Sequence, residues 1–396
     1  MKKRIGILTG GGDAPGLNPA IKWTTKKGLS LGYEVFGIID GWKGILELGE
    51  FSNLRINNLY KSAQSKLESS AIDFIRKGIH EIKWKDLVKN AGISIAPLTE
   101  KDVSKWDELP GSEIGNSRTN PFKIDNDRSK VFLKNIENLG LDFIIAMGGE
   151  DTLGAAHKAY QLGIKTIGIP KTIDGDLLGS DYTLGFRTAV DVIRNTVLNL
   201  HGTAKSHDQS TIVETMGRHS GVLAHTGGKV SGADMILIPE YSPSLEQIAD
   251  ILTARRKKKI NYDMIIISEG TKINDYGGLV TSGDKDEFDH VALGGIGNRL
   301  KNDLEKMTHQ KMRVKVLGHQ QRGTIPNGYD VEKGIQFGIA AVELIELGES
   351  GKMVSYRDGK IKHVSLEEVS KGTKNIDINK MYDIKKLNVP FKSFGI

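Results

Sequence analysis

Cysteine is absent from the 396 residues, which excludes disulfides, thiolate nucleophiles and Cys-ligated metal sites. Long apolar runs are absent as well. None approaches the roughly 20 residues that cross a bilayer, and the basic start MKKR runs into a strand-like RIGILT rather than a signal-peptide core, so a cytoplasmic protein without a membrane partner is expected. Aromatic residues make up only 6% of the chain, and none interleaves with the basic residues in the manner of a nucleic-acid surface. Charge of one sign does not dominate either: 55 Lys and Arg stand against 49 Asp and Glu, a formal net charge of +6. The single dense basic run, Arg255 to Lys259, closes a helix predicted over 244–257, where cations suit the dipole. No nucleic-acid partner is expected, and small polyanions are the better use of the charge.

What is present is an alternation of short apolar runs with helical patterns. Strands are predicted at 4–8, 34–39, 142–147, 166–169, 211–215, 235–238, 263–268 and 314–317, and helices at 189–200, 244–257, 291–307 and 331–347. Alternation of this kind predicts parallel sheets wrapped by helices, and the length predicts two α/β domains. Residues 57–108 break the rhythm with amphipathic pieces and no charged glycine turns, and read as an elaborated surface segment that covers the sheet or an oligomer contact. The tail after Lys371 is polar and lysine-rich, with apolar residues placed to dock on the body.

The chemistry gathers behind the strands. Thr9 to Asn18 (TGGGDAPGLN) follows the first strand, and its glycines let backbone N–H groups approach an anion. It has neither G-x-G-x-x-G spacing nor a P-loop ending, so alone it is equally a plain turn. Gly148-Gly149-Glu150-Asp151-Thr152 adds carboxylates, one of which can hold Mg²⁺ against phosphate oxygens; Thr152 reads better as a helix cap. Pro170-Lys171-Thr172-Ile173-Asp174-Gly175-Asp176 supplies two more carboxylates behind a lysine, with Asp174 the candidate base for a sugar hydroxyl. Both acidic loops would open at the carboxyl edge of one sheet and therefore be neighbours. Met216 to Gly221, Ser268-Glu269-Gly270 and Leu317 to Gly323 follow further strands, and Arg313, His319 and Arg322 concentrate cations suited to a second phosphate that is held rather than transferred.

In this order, GGGDAPGLN, GGEDT, PKTIDGD, VETMGRHSG, SEGT and VLGHQQRG cover most of the chain, and the sequence resembles the 6-phosphofructokinase superfamily. The resemblance implies two similar Rossmann-like α/β domains with parallel sheets and an active site in the interdomain cleft. The donor domain would be 1–188 plus about 327–350, and the sugar-phosphate domain 189–326 plus about 351–396 with the tail. It implies that Gly11, Gly12 and Arg118 contact the transferred phosphoryl group and that Asp174 takes the proton. Glu150 would stand at the Mg²⁺ position, and Thr172 and Asp176 would share the catalytic loop. Met216, Gly217, Arg218 and Glu269 would line the sugar pocket, and Arg313, His319 and Arg322 its phosphate end. Members of the family self-associate and share active sites between subunits.

Two positions bear on the donor. ATP-dependent members generally keep glycine where Asp151 and Lys171 stand here. Asp151 would crowd and repel a nucleotide's α-phosphate, whereas Lys171 would neutralise compact pyrophosphate. The implied reaction is reversible transfer from pyrophosphate to the 1-hydroxyl of fructose 6-phosphate, within glycolysis or gluconeogenesis. The alternatives are ATP as donor, another sugar phosphate or a polyol as acceptor, and a non-catalytic regulatory subunit. Three departures qualify the resemblance. Gln209 replaces an arginine that reaches a neighbouring subunit's sugar phosphate, Pro110-Gly111 replaces a glycine pair, and Ile21, Thr25 and His201 replace effector-site arginines.

Overall fold

Runs rich in Ile and Val, too apolar to face water on either side, become central parallel strands here because only a covered sheet satisfies both their side chains and their backbone. In the computed structural model, the residues described are 2–48, 59–77, 82–285 and 291–390. The strands that build the two main sheets are, in chain order, β1 (Arg4–Gly10), β2 (Glu34–Ile38), β3 (Ile95–Pro97), β4 (Asn116–Ser117), β5 (Phe143–Gly148), β6 (Thr166–Pro170), β7 (Ser210–Thr215), β8 (Met235–Leu237), β9 (Met264–Ser268), β10 (Met312–Val316), β11 (Lys352–Arg357) and β12 (Lys360–Ser365). The chain divides into two compact units. The first is Met1–Thr172, Leu177–Gly185 and Gly323–Gly372, and the second is Ile173–Asp176, Phe186–Arg322 and Thr373–Ile396.

The first unit holds an eight-stranded sheet in the order β12-β11-β6-β5-β1-β2-β3, with β4 also paired to β1. Its centre is parallel, β1 lying between β5 and β2 in registers such as Ile7 opposite Ile145 and Ile5 opposite Val35. Ile5, Ile7, Ile144, Ile145 and Ile167 are fully buried. Helix Leu17–Ser30 packs on helix Gly328–Glu346, and Ile21 and Thr25 are buried in this unit. Residues 57–108 do more than cover a surface. They supply the helices Leu59–Arg76 and Trp84–Asn90 and the antiparallel edge strand β3, with Trp84 and Trp106 edge to face at 6.2 Å. The hairpin β11–β12 joins the same sheet through β6. Residues 351–372 therefore belong to the first unit, where the sequence had grouped 351–396 with the second.

The second unit has a four-stranded parallel sheet, β8-β9-β7-β10. The first two residues of the basic run, Arg255 and Arg256, are tied into its base, while Lys257, Lys258 and Lys259 are exposed. Arg255 bonds Asp234 at 2.5 Å and also pairs with Asp263, while Arg256 reaches Asp263 at 2.7 Å and Ser210 Oγ at 2.7 Å. The helix expected over 291–307 begins at Ile296, because Val291–Leu293 pairs antiparallel with Thr281–Lys285. The tail docks on this unit as expected, burying Ile376, Tyr382 and Leu387.

Candidate active site

In the first unit, the loops after β1, β4, β5 and β6 emerge at one sheet edge. β4 runs parallel to β1 with Ser117 opposite Gly10, and the Gly11 amide donates to Ser117 O at 2.9 Å, which brings Arg118 beside Gly11. Thr9 Oγ1 donates to Gly115 O at 2.6 Å, and the Asp13 carboxylate accepts from the Asn116 amide, so the glycine turn and the Arg118 segment are laced together. Lys171 is buried at 3% exposure, and its ammonium donates to Gly10 O and Gly12 O, each at 2.7 Å. The positive charge thus lies inside the glycine turn itself.

Glu150 and Asp151 open the helix Glu150–Gln161 directly behind β5. Burial, and then the neighbouring Asp151, push the Glu150 carboxyl above its ordinary value. Two adjoining carboxylates at such a potential suit a hard divalent cation. Among the described residues no cluster of three ligating side chains exists, and Mg²⁺ characteristically takes one or two carboxylates plus substrate phosphates. Thr152 is not a cap. The N-cap is Gly149, and Thr152, 2% exposed, fills the space beside both glycine turns, where a Cβ on Gly10 would lie 2.5 Å from its Oγ1 and one on Gly148 2.3 Å from its Cβ. At the third helical position past the cap, its side chain points at the sheet. Thr172, the last first-unit residue of its loop, accepts through its carbonyl from Thr183 Oγ1 at 2.6 Å.

In the second unit, a charged group assembles behind β7, β9 and β10. The Glu269 carboxyl is pushed up to about 7, first by burial, then by the negative charge of Asp174; Arg218 and Arg322 oppose the shift and Glu214 adds to it. Asp174, Arg218 and Arg322 are therefore each within electrostatic reach of Glu269. Arg322 Nε lies 3.2 Å from Met216 Sδ, and Gly217 O accepts from Ser268 Oγ at 2.5 Å and from the Gly270 amide at 3.1 Å, which joins the Met216 turn to the Glu269 turn. A Cβ on Gly270 would sit 1.9 Å from Arg218 O, so no larger residue fits there. Asp176 belongs to this unit with Asp174, and His319 lies exposed in the turn Gly318–Gln321 after β10.

Gln209 and Arg313 do not join this group within one chain. Gln209 precedes β7 and Arg313 is the second residue of β10, so both lie at the opposite end of the sheet from Met216 and Arg322, about 20 Å away at 3.3 Å per residue over the six residues of β7. There Arg313 Nε donates to Gln209 Oε1 at 2.8 Å, on an open cleft of about 630 Å³ that also includes Lys301, Lys311 and His309. Sequence reasoning passed over Glu214, a carboxylate 2% exposed at the end of β7 that accepts from the amides of Gly295 and Gly297 at 3.1 and 2.8 Å. The signal was present, since a charge inside the apolar run TIVET is an anomaly that burial must explain.

A pyrophosphate–fructose 6-phosphate 1-phosphotransferase of Dictyoglomus thermophilum is 37% identical over 379 residues, which is 95% of this chain and 96% of that protein. An ATP-dependent 6-phosphofructokinase of Chloroflexus aurantiacus is 35% identical, over 93% of this chain and 91% of that one. The fold matches the crystal structure of a pyrophosphate-dependent phosphofructokinase from Marinobacter aquaeolei with a TM-score of 0.74 at 19% identity, covering 98% of this chain and 89% of that one. The Phosphofructokinase family profile matches residues 4–345, the stretch that carries both clusters of site residues, and the chain belongs to the phosphofructokinase family.

Proposed function

We propose that this protein transfers a phosphoryl group from pyrophosphate to the 1-hydroxyl of fructose 6-phosphate, giving fructose 1,6-bisphosphate and phosphate. The observation that carries the reading is the buried Lys171 ammonium between Gly10 O and Gly12 O. A cation in that turn, with Asp151 in the first turn of the helix behind β5, favours a small, highly charged donor over a nucleotide. Relatives at 34, 36 and 37% identity are named for the same donor, and ATP-dependent relatives at 34–35% are the alternative.

In this reading the glycine turn at Gly11 and Gly12, with Arg118 and Lys171, holds the pyrophosphate and the group in transit. Glu150 holds Mg²⁺, which when bound neutralises phosphate oxygens. Asp174 accepts the proton of the sugar hydroxyl, with Thr172 and Asp176 ordering its loop. Met216, Gly217, Arg218 and Glu269 bind the sugar; Glu269, held near neutrality, donates or accepts a hydrogen bond at little cost. Arg322 and His319 receive the 6-phosphate. Gln209 and Arg313 serve a second copy of the chain in a cytoplasmic homo-oligomer, a role that their place at the far end of β7 and β10 favours. One phosphoanhydride is exchanged for one phosphoester, so the reaction runs in both directions.

Steady-state assays with pyrophosphate and with ATP, at fixed fructose 6-phosphate and Mg²⁺, test the donor; turnover with ATP equal to or above that with pyrophosphate refutes it. A screen of sugar phosphates and polyols at fixed pyrophosphate tests the acceptor, which Gln209 puts in question: a KM lower than that for fructose 6-phosphate would reassign it.

A further inference from the structure

The end of the chain makes contacts that the chemistry above leaves unused. Residues 377–390 are anchored along β8: the Ile236 amide donates to Leu387 O at 2.8 Å, the Tyr382 hydroxyl to Ile236 O at 2.6 Å, and the Asn388 side-chain amide to the carbonyls of Ala233 and Asp234 at 2.9 and 2.8 Å. From this anchor the preceding residues reach two loops of the site. The Lys374 amide donates to Asp176 O at 2.6 Å, and the Ile376 amide donates to Glu240 Oε1 at 2.9 Å. The same Glu240 carboxylate accepts from the Gly221 amide, at 2.8 Å to Oε1 and 3.0 Å to Oε2, where the turn from Met216 enters helix Val222–Ser231. On its other side the Asp174 loop is closed by Phe186. Gly175 has φ +70°, and a Cβ there would lie 2.6 Å from the Phe186 ring.

We infer that the carboxy-terminal segment is a strap that positions the loop carrying Asp174, and that Glu240 is the positioning residue coupling this strap to the sugar-binding turn. The inference rests on the proposed role of Asp174. Its physical basis is register. A backbone bond at Asp176 restrains the peptide two residues beyond the base, and one carboxylate shared by two backbone amides fixes the strap against the turn that ends at Gly221. Neither contact touches a reacting atom, yet a displacement of about 1 Å in a catalytic group costs on the order of a hundredfold in rate.

The test uses the full chain with Glu240→Ala, Glu240→Gln and Lys374→Pro, the last removing the amide that holds Asp176 together with the lysine side chain, for which Lys374→Ala is the control that keeps the amide. Three quantities are read: kcat and KM with pyrophosphate and fructose 6-phosphate, amide hydrogen exchange over 173–177, and the unfolding midpoint. Glu240→Ala and Lys374→Pro are expected to lower kcat roughly 10- to 100-fold with the KM for pyrophosphate within twofold, and to speed exchange at 175–177 at least tenfold. Glu240→Gln, which keeps one carbonyl acceptor, is expected to recover most of the rate. Wild-type kcat and unchanged exchange in both variants, with or without a lower midpoint, would reduce the strap to a stabilising contact and overturn the inference. Exchange is read without substrate. An inactive wild type with faster exchange in the variants therefore fails the proposed reaction and sustains the strap, while unchanged exchange fails the strap alone. If Glu240→Ala does not fold, Lys374→Pro and the isosteric Glu240→Gln still decide.

Discussion

Glu269→Gln separates what the site costs the fold from what it does for the substrate. In the folded chain the Glu269 carboxyl is held at about 7 against an ordinary 4.5, chiefly by burial and by Asp174. Folding therefore favours the protonated acid. Below about pH 4.5 the group is protonated in both folded and unfolded chains and its contribution to stability is fully present; as pH rises through 7 the proton must leave and that contribution is lost. At about 1.4 kcal/mol for each pH unit between the two values, the loss reaches about 3 kcal/mol above pH 8, an upper bound because the group is only partly buried. Glutamine copies the neutral acid and escapes the loss. The variant is expected to match the wild type near pH 4.5 and to unfold later at pH 8, by about 6 to 12 °C at 2 to 4 °C per kcal/mol for a unit of this size. Its KM for fructose 6-phosphate should rise at least tenfold. Differential scanning calorimetry across pH 4.5 to 8.5, without substrate, measures the first effect. A difference between variant and wild type that does not change with pH, or that reverses sign, would refute the linkage.

Lys171→Gly takes the ammonium from Gly10 O and Gly12 O, and a charged hydrogen bond is worth about 1.5 to 3 kcal/mol. kcat/KM for pyrophosphate should fall roughly 10- to 150-fold while the KM for fructose 6-phosphate stays within twofold in steady-state assays, and an unchanged pyrophosphate rate would remove Lys171 from the donor site. Asp263→Ala removes the buried carboxylate that Arg255 and Arg256 share at the base of the second sheet and leaves Arg255 with Asp234; breaking a buried pair costs about 3 to 5 kcal/mol, an upper bound for these partly exposed arginines. Urea unfolding should show that loss, and less than about 1 kcal/mol would mean the network is solvated.

Each apolar run read as a strand is one, because a strand covered on both faces must be apolar throughout and leaves a continuous mark. The short and half-covered strands left none. β3 has three residues and β4 two, and β12 exposes Lys360, Lys362 and His363 without strict alternation. The chemistry was legible where charge follows a strand, as at Glu150, Asp174 and Glu269. It was not legible where a residue acts through a distant backbone group. Nothing local marks Glu240 as the acceptor for Ile376, 136 positions further on, and Thr152 resembles a cap until the packing at Gly10 and Gly148 is seen. Arg313 lies at the other end of its strand from Arg322 in plain sequence order; shared affinity for phosphate drew these two into one group, whereas the resemblance puts Gln209 at the place of an arginine that reaches a neighbouring subunit.

The borders of the two sheets bear on how copies of this chain can meet. β3 is three residues long and ends at Pro97, which has no amide to offer a ladder, and β12 at the opposite border presents Lys360, Lys362 and His363 to solvent. In the second unit β10 exposes Arg313 and Lys315, and the Ile236 amide of β8 is already taken by Leu387. Short, proline-ended or lysine-bearing margins are those that resist strand addition and fibrillar aggregation. Each border of the two main sheets is blunted in one of these ways, so addition of a strand from another copy at those borders is disfavoured.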